Sequence, residues 1–451
     1  MNNKNPIKIM TNKHIVGSLA LSGLLLAITG CNNSLVNNKP PQALDNKILS
    51  TQTDKVSVPK NDSKYIAADD SASTPEGINA VVNANNQFAV SMYQQLNKQP
   101  EQKDKNVIFS PYSLSTAMAM LYAAADGETK QQIQKTFHYP ALNVLNPNSA
   151  ALHKQFNKPN PDYKLATVND LWMQQGLTPN KAYIDTVQRY YGGNVTNLDF
   201  ESSPEPSRQT INKTIAAHTH QLIPELLAKD SITTDTATVL TNAAYFKGDW
   251  SQPFSVRGDK QPFYNLDSST TAVTMMYQLS YFDYTEDNLV QVVALPYKGN
   301  DLSMIVILPK SKDKSAIDAI VNTLTTAQIR QWTDKLESKK VNVKLPKFKL
   351  EESYRMREPL TKMGMPIAFS DRADFKLFNK NLPLTVDTII HKAVIDVDEK
   401  GTVAAAGTGT IVISPVSASY NAELEANHPF IFMIKDNKTD AILFLGQVNK
   451  P

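Results

Sequence analysis

The sequence predicts an α+β fold: helices come early, and a large mixed or antiparallel sheet is assembled from strands spread over the rest of the chain. Two observations carry this. Apolar residues at three- and four-residue spacing open the folded part, and β-branched and aromatic runs recur at irregular intervals after it. No internal repeat divides the roughly 370 residues from position 81 onward, a length that large mixed folds reach.

Residues 1–30 read as a targeting segment. Lys4, Lys8 and Lys13 form a basic front, residues 15–28 are apolar with only Gly and Ser interrupting, and the stretch closes on Ile28-Thr29-Gly30-Cys31. This resembles the lipobox of bacterial lipoproteins, which implies cleavage before Cys31 and its acylation. An ordinary secretory signal or a membrane span are the alternatives, but the apolar run is short for a span and Cys31 is the only cysteine. The expected location is a lipid-anchored place in a bacterial cell envelope. Asn32 after the cysteine points to the outer membrane or cell surface, and the acyl chains supply the anchoring signals that stable attachment needs.

Residues 32 to about 80 are rich in Asn, Ser, Asp, Lys, Thr and Pro, with few large apolar side chains to offset ordering entropy. The expected organisation is therefore a signal over 1–30, a lipidated cysteine and disordered tether over 31–80, and a folded domain over 81–451. Loss of residues 1–30 removes three lysines and leaves 43 basic against 43 acidic residues. A neutral chain has no single-sign field to draw nucleic acid. With Cys31 lipidated, no disulfide can form.

The folded part begins with helical spacing through Val81, Val82, Phe88, Met92 and Leu96. Ser110 before Pro111 predicts a helix start, and the Ala/Met/Leu run after it is apolar nearly all round, which predicts a central helix whose methionines fill core. Asp126-Gly127-Glu128-Thr129 ends it and caps the next. Strand character follows at 166–173 and 238–246, with helical segments at 183–191 and 211–227. Later strands are expected at 290–295, 302–308, 341–350, 389–395, 430–434 and 441–445, with a helical stretch at 317–336.

Between two of these strands lies Gly401-Thr402-Val403-Ala404-Ala405-Ala406-Gly407-Thr408-Gly409-Thr410, followed by Ile411-Val412-Ile413. The segment has no charge, no proline and no aromatic. Read as a strand, one face carries small or β-branched residues and the other only Val, Ala, Gly and Ile. Gly/Ala/Thr stretches usually serve as linkers, but few linkers are this apolar or sit between core strands. The segment can stand exposed and can also enter a sheet without burying a charge.

Enzymatic signatures are missing. There is no phosphate-binding glycine loop, no His-Glu-x-x-His, no cysteine pair for zinc and no Gly-x-Ser-x-Gly elbow. The seven histidines are scattered, and His218 and His220 stand two apart in an expected helix, on different faces. No cofactor, metal or catalytic residue is expected, and the chain reads as no enzyme.

Several motifs together resemble the serpin family over nearly all of 81–451. Asn106 to Tyr122 resembles its Asn-x-x-x-Ser-Pro-x-Ser helix, and Asn242-Ala243-Ala244-Tyr245-Phe246-Lys247-Gly248-Asp249-Trp250 its central-sheet motif. Leu295-Pro296-Tyr297-Lys298-Gly299, Leu345-Pro346-Lys347-Phe348, His391-Lys392-Ala393 and Asn427-His428-Pro429-Phe430 follow in the family's order. Ile215 stands where a tryptophan is common, and His220-Gln221-Leu222 replaces a Gly-Lys-Ile turn. The resemblance implies a serpin fold: a large mixed central sheet with additional sheets, about nine helices and an exposed reactive-centre loop. It places Trp250 and His391 at the sheet top, where the loop first enters.

It also implies a suicide inhibitor of serine proteases, with cysteine proteases as an alternative target class, that acts as a monomer. The protease attacks the loop, forms an acyl-enzyme, and is trapped covalently when the freed loop inserts as a new strand. The hinge is then Glu399, Gly401, Thr402, Val403, Ala404, Ala405 and Ala406. Family spacing from Gly401 puts the reactive residue at Pro415. One added residue gives the bond Val416–Ser417, suited to an elastase-like enzyme, while Ile413 or Tyr420 remain alternatives, the last for a chymotrypsin-like one. Non-inhibitory relatives, which act as binding or structural proteins, tend to carry charge, proline or bulk in the hinge, and here there is none. Burying an unpaired charge costs several kcal/mol, so Thr402→Arg is expected to turn an inhibitor into a substrate. The check is the stoichiometry of stable complex formation, and a wild-type value would overturn this reading of the hinge.

Overall fold

The computed structural model describes residues 67–379, 385–400 and 419–451. The targeting segment, Cys31, most of the expected tether, the hinge from Gly401 to Ala406 and the bonds around Ile413, Pro415, Val416 and Ser417 lie outside the described residues.

Helices come first. They are α1 (Pro75–Asn97), α2 (Pro111–Ala124), α3 (Gly127–Phe137), α4 (Leu142–Phe156), α5 (Lys181–Tyr191) and α6 (Pro204–His218). Three more, α7 (Lys314–Thr323), α8 (Thr326–Thr333) and α9 (Arg357–Lys362), bring the total among the described residues to nine. The first strands are β1 (Val107–Phe109), β2 (Tyr163–Gln174), β3 (Asn194–Leu198) and β4 (Thr238–Gly248). Then follow β5 (Ser255–Val256), β6 (Gln261–Tyr264), β7 (Thr270–Val273), β8 (Met275–Glu286), β9 (Val290–Pro296) and β10 (Leu302–Pro309). The last are β11 (Glu337–Pro346), β12 (Phe348–Arg355), β13 (Thr388–Val397), β14 (Ala422–Glu425), β15 (Phe430–Asp436) and β16 (Ile442–Val448).

Two large mixed sheets result. One has nine strands, ordered β1-β16-β15-β10-β9-β8-β11-β14, with β5 also on β8. The other has five, ordered β12-β13-β4-β2-β3, and β6 and β7 form a separate hairpin. The α+β expectation and the mixed sheets agree with this architecture.

α2 runs through the middle of the fold. Every residue of it except Ala123 is buried, as an all-round apolar helix requires. Ser110 starts it: its hydroxyl oxygen accepts the Ser113 N–H at 3.2 Å and its hydroxyl donates to the Leu443 carbonyl at 2.6 Å. One residue thus caps the helix and docks it on β16. Asp126 stands at the N-cap of α3, but its carboxylate goes to Lys376 at 2.8 Å and makes no capping bond.

The five-stranded sheet has a core on each side, and strand alternation sorts its residues between them. Leu240, Ala244 and Phe246 of β4, with Ile389, Ala393 and Ile395 of β13, face the main core. Val239, Ala243 and Tyr245 of β4, with Ile390 and Val394 of β13, face a second cluster roofed by Ile211 and Ile215 of α6 and by Ile223, Leu226, Leu227 and Ile232. All eleven residues of β4 are consequently buried.

Four expectations are corrected. α1 begins at Pro75, ahead of the boundary set at 81, because Thr74 accepts the Gly77 N–H at 3.0 Å and the folded part includes the approach to it. The helix expected over 211–227 stops at His218. Beyond it His220 and Gln221 take left-handed φ values of 52° and 63°, Pro224 cannot continue a helix, and Asn212 Oδ1 accepts the Leu226 and Leu227 N–H groups at 3.0 and 2.8 Å. His218 therefore ends the helix and His220 lies outside it. The stretch 317–336 divides at Thr325, which caps α8 by accepting the Gln328 N–H at 3.0 Å, and 341–350 divides between β11 and β12.

Ser110→Ala removes the cap and leaves the buried Leu443 carbonyl without its donor. The expected cost is about 2 kcal/mol, read as a lower urea midpoint at unchanged m-value.

Candidate functional site

β13 and β4 are parallel neighbours at the centre of the five-stranded sheet, in register from Thr388↔Val239 to Ile395↔Phe246. β13 then leads directly into the 401 segment. Two groups of side chains hold this seam, one at its top and one at its middle.

At the top, Trp250 stacks on Tyr297 with ring centroids 4.5 Å apart and planes 9° from parallel. Its indole N–H donates to the Asp398 carbonyl at 2.8 Å and its backbone N–H to the Lys400 carbonyl at 3.3 Å. The Phe254 N–H donates to the Glu399 carbonyl at 2.8 Å, and the Glu399 carboxylate pairs with Lys347. Burial works to raise the Glu399 carboxyl, but Lys347 outweighs it and holds the group below its ordinary range. Lys247, at the end of β4, reaches across the seam to Asp396 and Asp398, at 3.1 Å each. Both strands are thus clamped where the chain leaves for the segment at 401. Trp250 and Glu399 belong to this clamp.

The middle group replaces what the sequence reading expected of His391. It lies in the body of β13, opposite Asn242 of β4, and away from Trp250, since the register places it seven pairings' worth of strand below Asp398. Its Nε2 accepts the Ser110 N–H at 3.0 Å. The ring proton therefore sits on Nδ1, which donates to Asn242 Oδ1 across the seam. Asn242 Nδ2 in turn donates to the Ser113 carbonyl at 2.9 Å and hydroxyl at 2.7 Å, and meets the Asn169 side chain. The Tyr354 ring lies parallel to the imidazole at 6.4 Å, and its hydroxyl accepts the Ile108 N–H at 3.3 Å. These side chains pin the seam to the start of α2. Complete burial lowers the His391 imidazole to about 3, so the ring is neutral.

Sequence reasoning missed Lys247, Asp396, Asp398, Ser110, Ser113, Asn169 and Tyr354 as members of these groups. A signal for two of them was present, since Asn242 and Lys247 lie in the central-sheet motif. Tyr420 is described, two residues before β14, with its N-terminal neighbours outside the described residues; its hydroxyl meets Glu423 at 3.4 Å. Among the described residues no group of His, Cys, Asp and Glu could hold a metal ion.

The family model described as Serpin (serine protease inhibitor) matches residues 83–451. The chain belongs to the serpin family. An uncharacterized serpin-like protein of Methanosarcina acetivorans is 39% identical over 82% of this chain and 87% of its own length. The leukocyte elastase inhibitor of Bos taurus is 36% identical, over 82% of this chain and 98% of that protein. The crystal structure of uncleaved ovalbumin matches with a TM-score of 0.75 at 26% identity, covering 82% of this serpin and 100% of that chain.

In this serpin, a folded-state imidazole depressed to about 3 binds fewer protons than the unfolded one, whose ordinary value is about 6.5. His391 thus favours the fold fully above about pH 6.5, and that contribution falls as pH drops toward 3. His391→Gln is expected to lower the melting temperature at pH 7.5 and to flatten its decline between pH 6.5 and 5. Thermal unfolding across that range is the check.

Proposed function

We propose that this serpin is an irreversible inhibitor of serine proteases that works by inserting its cleaved loop between β13 and β4. The observation carrying the reading is the direction of the seam. β13 and β4 run parallel, so a segment that leaves the end of β13 and turns back is antiparallel to both. Insertion exchanges one parallel ladder for two antiparallel ones, the more stable pairing per residue. About a dozen new backbone hydrogen bonds, at ~1 kcal/mol net each, rival the ~5–15 kcal/mol that stabilises a whole domain. That is enough to distort a covalently captured protease before water releases it.

The two seam groups fit this role as a closure that must yield. The His391–Asn242 bond and the Lys247 bridges cross the seam and break when it widens by one strand. Thr402, Val403, Ala404, Ala405 and Ala406 then offer no charge or bulk to the interior.

For the reactive bond we favour Val416–Ser417 and an elastase-like target, a preference consistent with likeness to a protein named as an elastase inhibitor. Tyr420 is a weaker choice. The residues after it already pair with β11, where the Asn421 N–H donates to the Lys340 carbonyl at 2.8 Å, and a protease needs extended chain on both sides of its bond. Lipid at Cys31 would tether the inhibitor to a bacterial envelope, with residues 32–66 as part of the lead.

Incubation with an elastase-like protease is expected to give a denaturant-resistant complex and a released fragment beginning at Ser417. Protein nicked there should melt roughly 20 °C or more above intact protein. Nicked protein that melts with the intact form, and gives no complex, would instead favour a non-inhibitory binding role.

A further inference from the structure

The second core carries an arrangement that straddles the seam. α6 and residues 219–237 roof β2, β4 and β13 together through Ile211, Ile215, Ile223, Leu226 and Leu227. They form one stiff piece: Asn212 donates to the Leu227 carbonyl at 2.9 Å and accepts two N–H groups of the return segment, while Arg208 pairs with both Glu205 and Glu225 at 2.8 and 3.0 Å. This piece is tied down on each side of the seam. On the β13 side, Lys392 donates to the Glu225 carbonyl at 2.7 Å and pairs with Glu351 of β12 at 2.7 Å.

On the β2 side the tie is His218, the last residue of α6, with Nδ1 at 3.9 Å from Asp170 Oδ2. Asp170 is 2% exposed, which makes its chemistry decisive. Oδ1 accepts the Asn194 amide at 2.8 Å, and Oδ2 has no hydrogen-bond partner at all. The other charged groups around α6 are engaged with one another, Arg208 with its two glutamates and Lys392 with Glu351. His218 is the ionisable group that faces Asp170, and it is half exposed, so its proton exchanges freely with solvent.

We propose that α6 and residues 219–237 are a strap across the β13–β4 seam, and that protonation of His218 tightens it, so that the seam opens more slowly in mildly acidic than in alkaline solution. An imidazolium at the end of α6 gives the buried Asp170 carboxylate its missing partner. A neutral imidazole leaves that carboxylate buried with one oxygen unsatisfied, which weakens the tie. Burial raises the Asp170 carboxyl above its ordinary range, against the pull of Asn194 and His218. A carboxyl raised by folding favours the fold less as pH rises, so both partners act in the same direction. Histidine changes charge between about pH 5 and 8, and that is the working window. The strap's effect on inhibition rests on the loop insertion proposed above, whereas the latch does not.

The test is a double-mutant cycle with full-length protein, Asp170→Asn, His218→Gln and the pair, read as hydrogen-exchange protection of α6 amides at pH 5.8 and pH 8.0. Local exchange keeps the latch separate from the global acid loss due to His391. Wild type is expected to show about three- to fivefold extra protection at pH 5.8 from the coupling, the size of a half-exposed ion pair, and none at pH 8.0. Equal coupling at both pH values, or none at either, overturns the latch. Should Asp170→Asn fail to fold, the pH dependence of α6 protection in His218→Gln against wild type decides by itself. Nicking with protease separates the two readings. A melting temperature unmoved by cleavage sinks loop insertion while the exchange cycle still judges the latch, and uptake equally fast at both pH values sinks the strap's role in inhibition.

Discussion

The fold depends on keeping two parallel strands together at the centre of a sheet where an extra antiparallel neighbour would be accommodated better. β13 and β4 arrive there from positions about 150 residues apart, with register Ile389↔Leu240 through Ile395↔Phe246. Parallel pairs make slanted, slightly weaker ladders. What closes the gap is side-chain chemistry across the ladder: a neutral histidine with its proton fixed on Nδ1, an asparagine that accepts it, and a lysine shared between two aspartates. None of these contacts is individually large. Each is built from a donor and an acceptor on opposite strands, so widening the sheet breaks all of them together.

Much of the architecture was legible because periodicity writes element type directly into the chain. α2 was readable as a buried helix because Ala, Met and Leu occupy all its faces, and Ser110-Pro111 marks its start. β4 and β13 were readable as strands. Their adjacency was not, since a strand's pattern shows which side is buried and not which strand lies beside it. That is why His391 could be grouped with Trp250 from motif order although it lies against Asn242 in mid-sheet. The overlong helix at 211–227 has a similar cause: apolar spacing continues through Ile223 and Leu227, and those residues are indeed buried, but Asn212 claims the backbone N–H groups that a helix would need.

The charged residues around the seam divide by how much water they see. Lys247 has only 11% of its side chain exposed, and burial opposes its charge, yet Asp398 and Asp396 overcome that and hold it protonated. Removing one aspartate would leave an incompletely neutralised buried cation, which costs more than losing a surface pair. Exposed bridges such as Lys181–Asp185, on the outside of α5, contribute little by comparison. The few partly buried ions therefore matter to the sheet out of proportion to their number.

The chain has three tryptophans, and two of them stand on the moving parts. Trp250 lies against Tyr297 with its indole on the Asp398 carbonyl, and Trp172 sits beneath α6 with its indole on Thr241 at 2.8 Å. Indole emission shifts in colour when its surroundings become wetter or its dipole loses a fixed partner. The molecule thus carries an intrinsic optical reporter at the top of the sheet and another under its roof, and stopped-flow fluorescence can follow both without any attached dye.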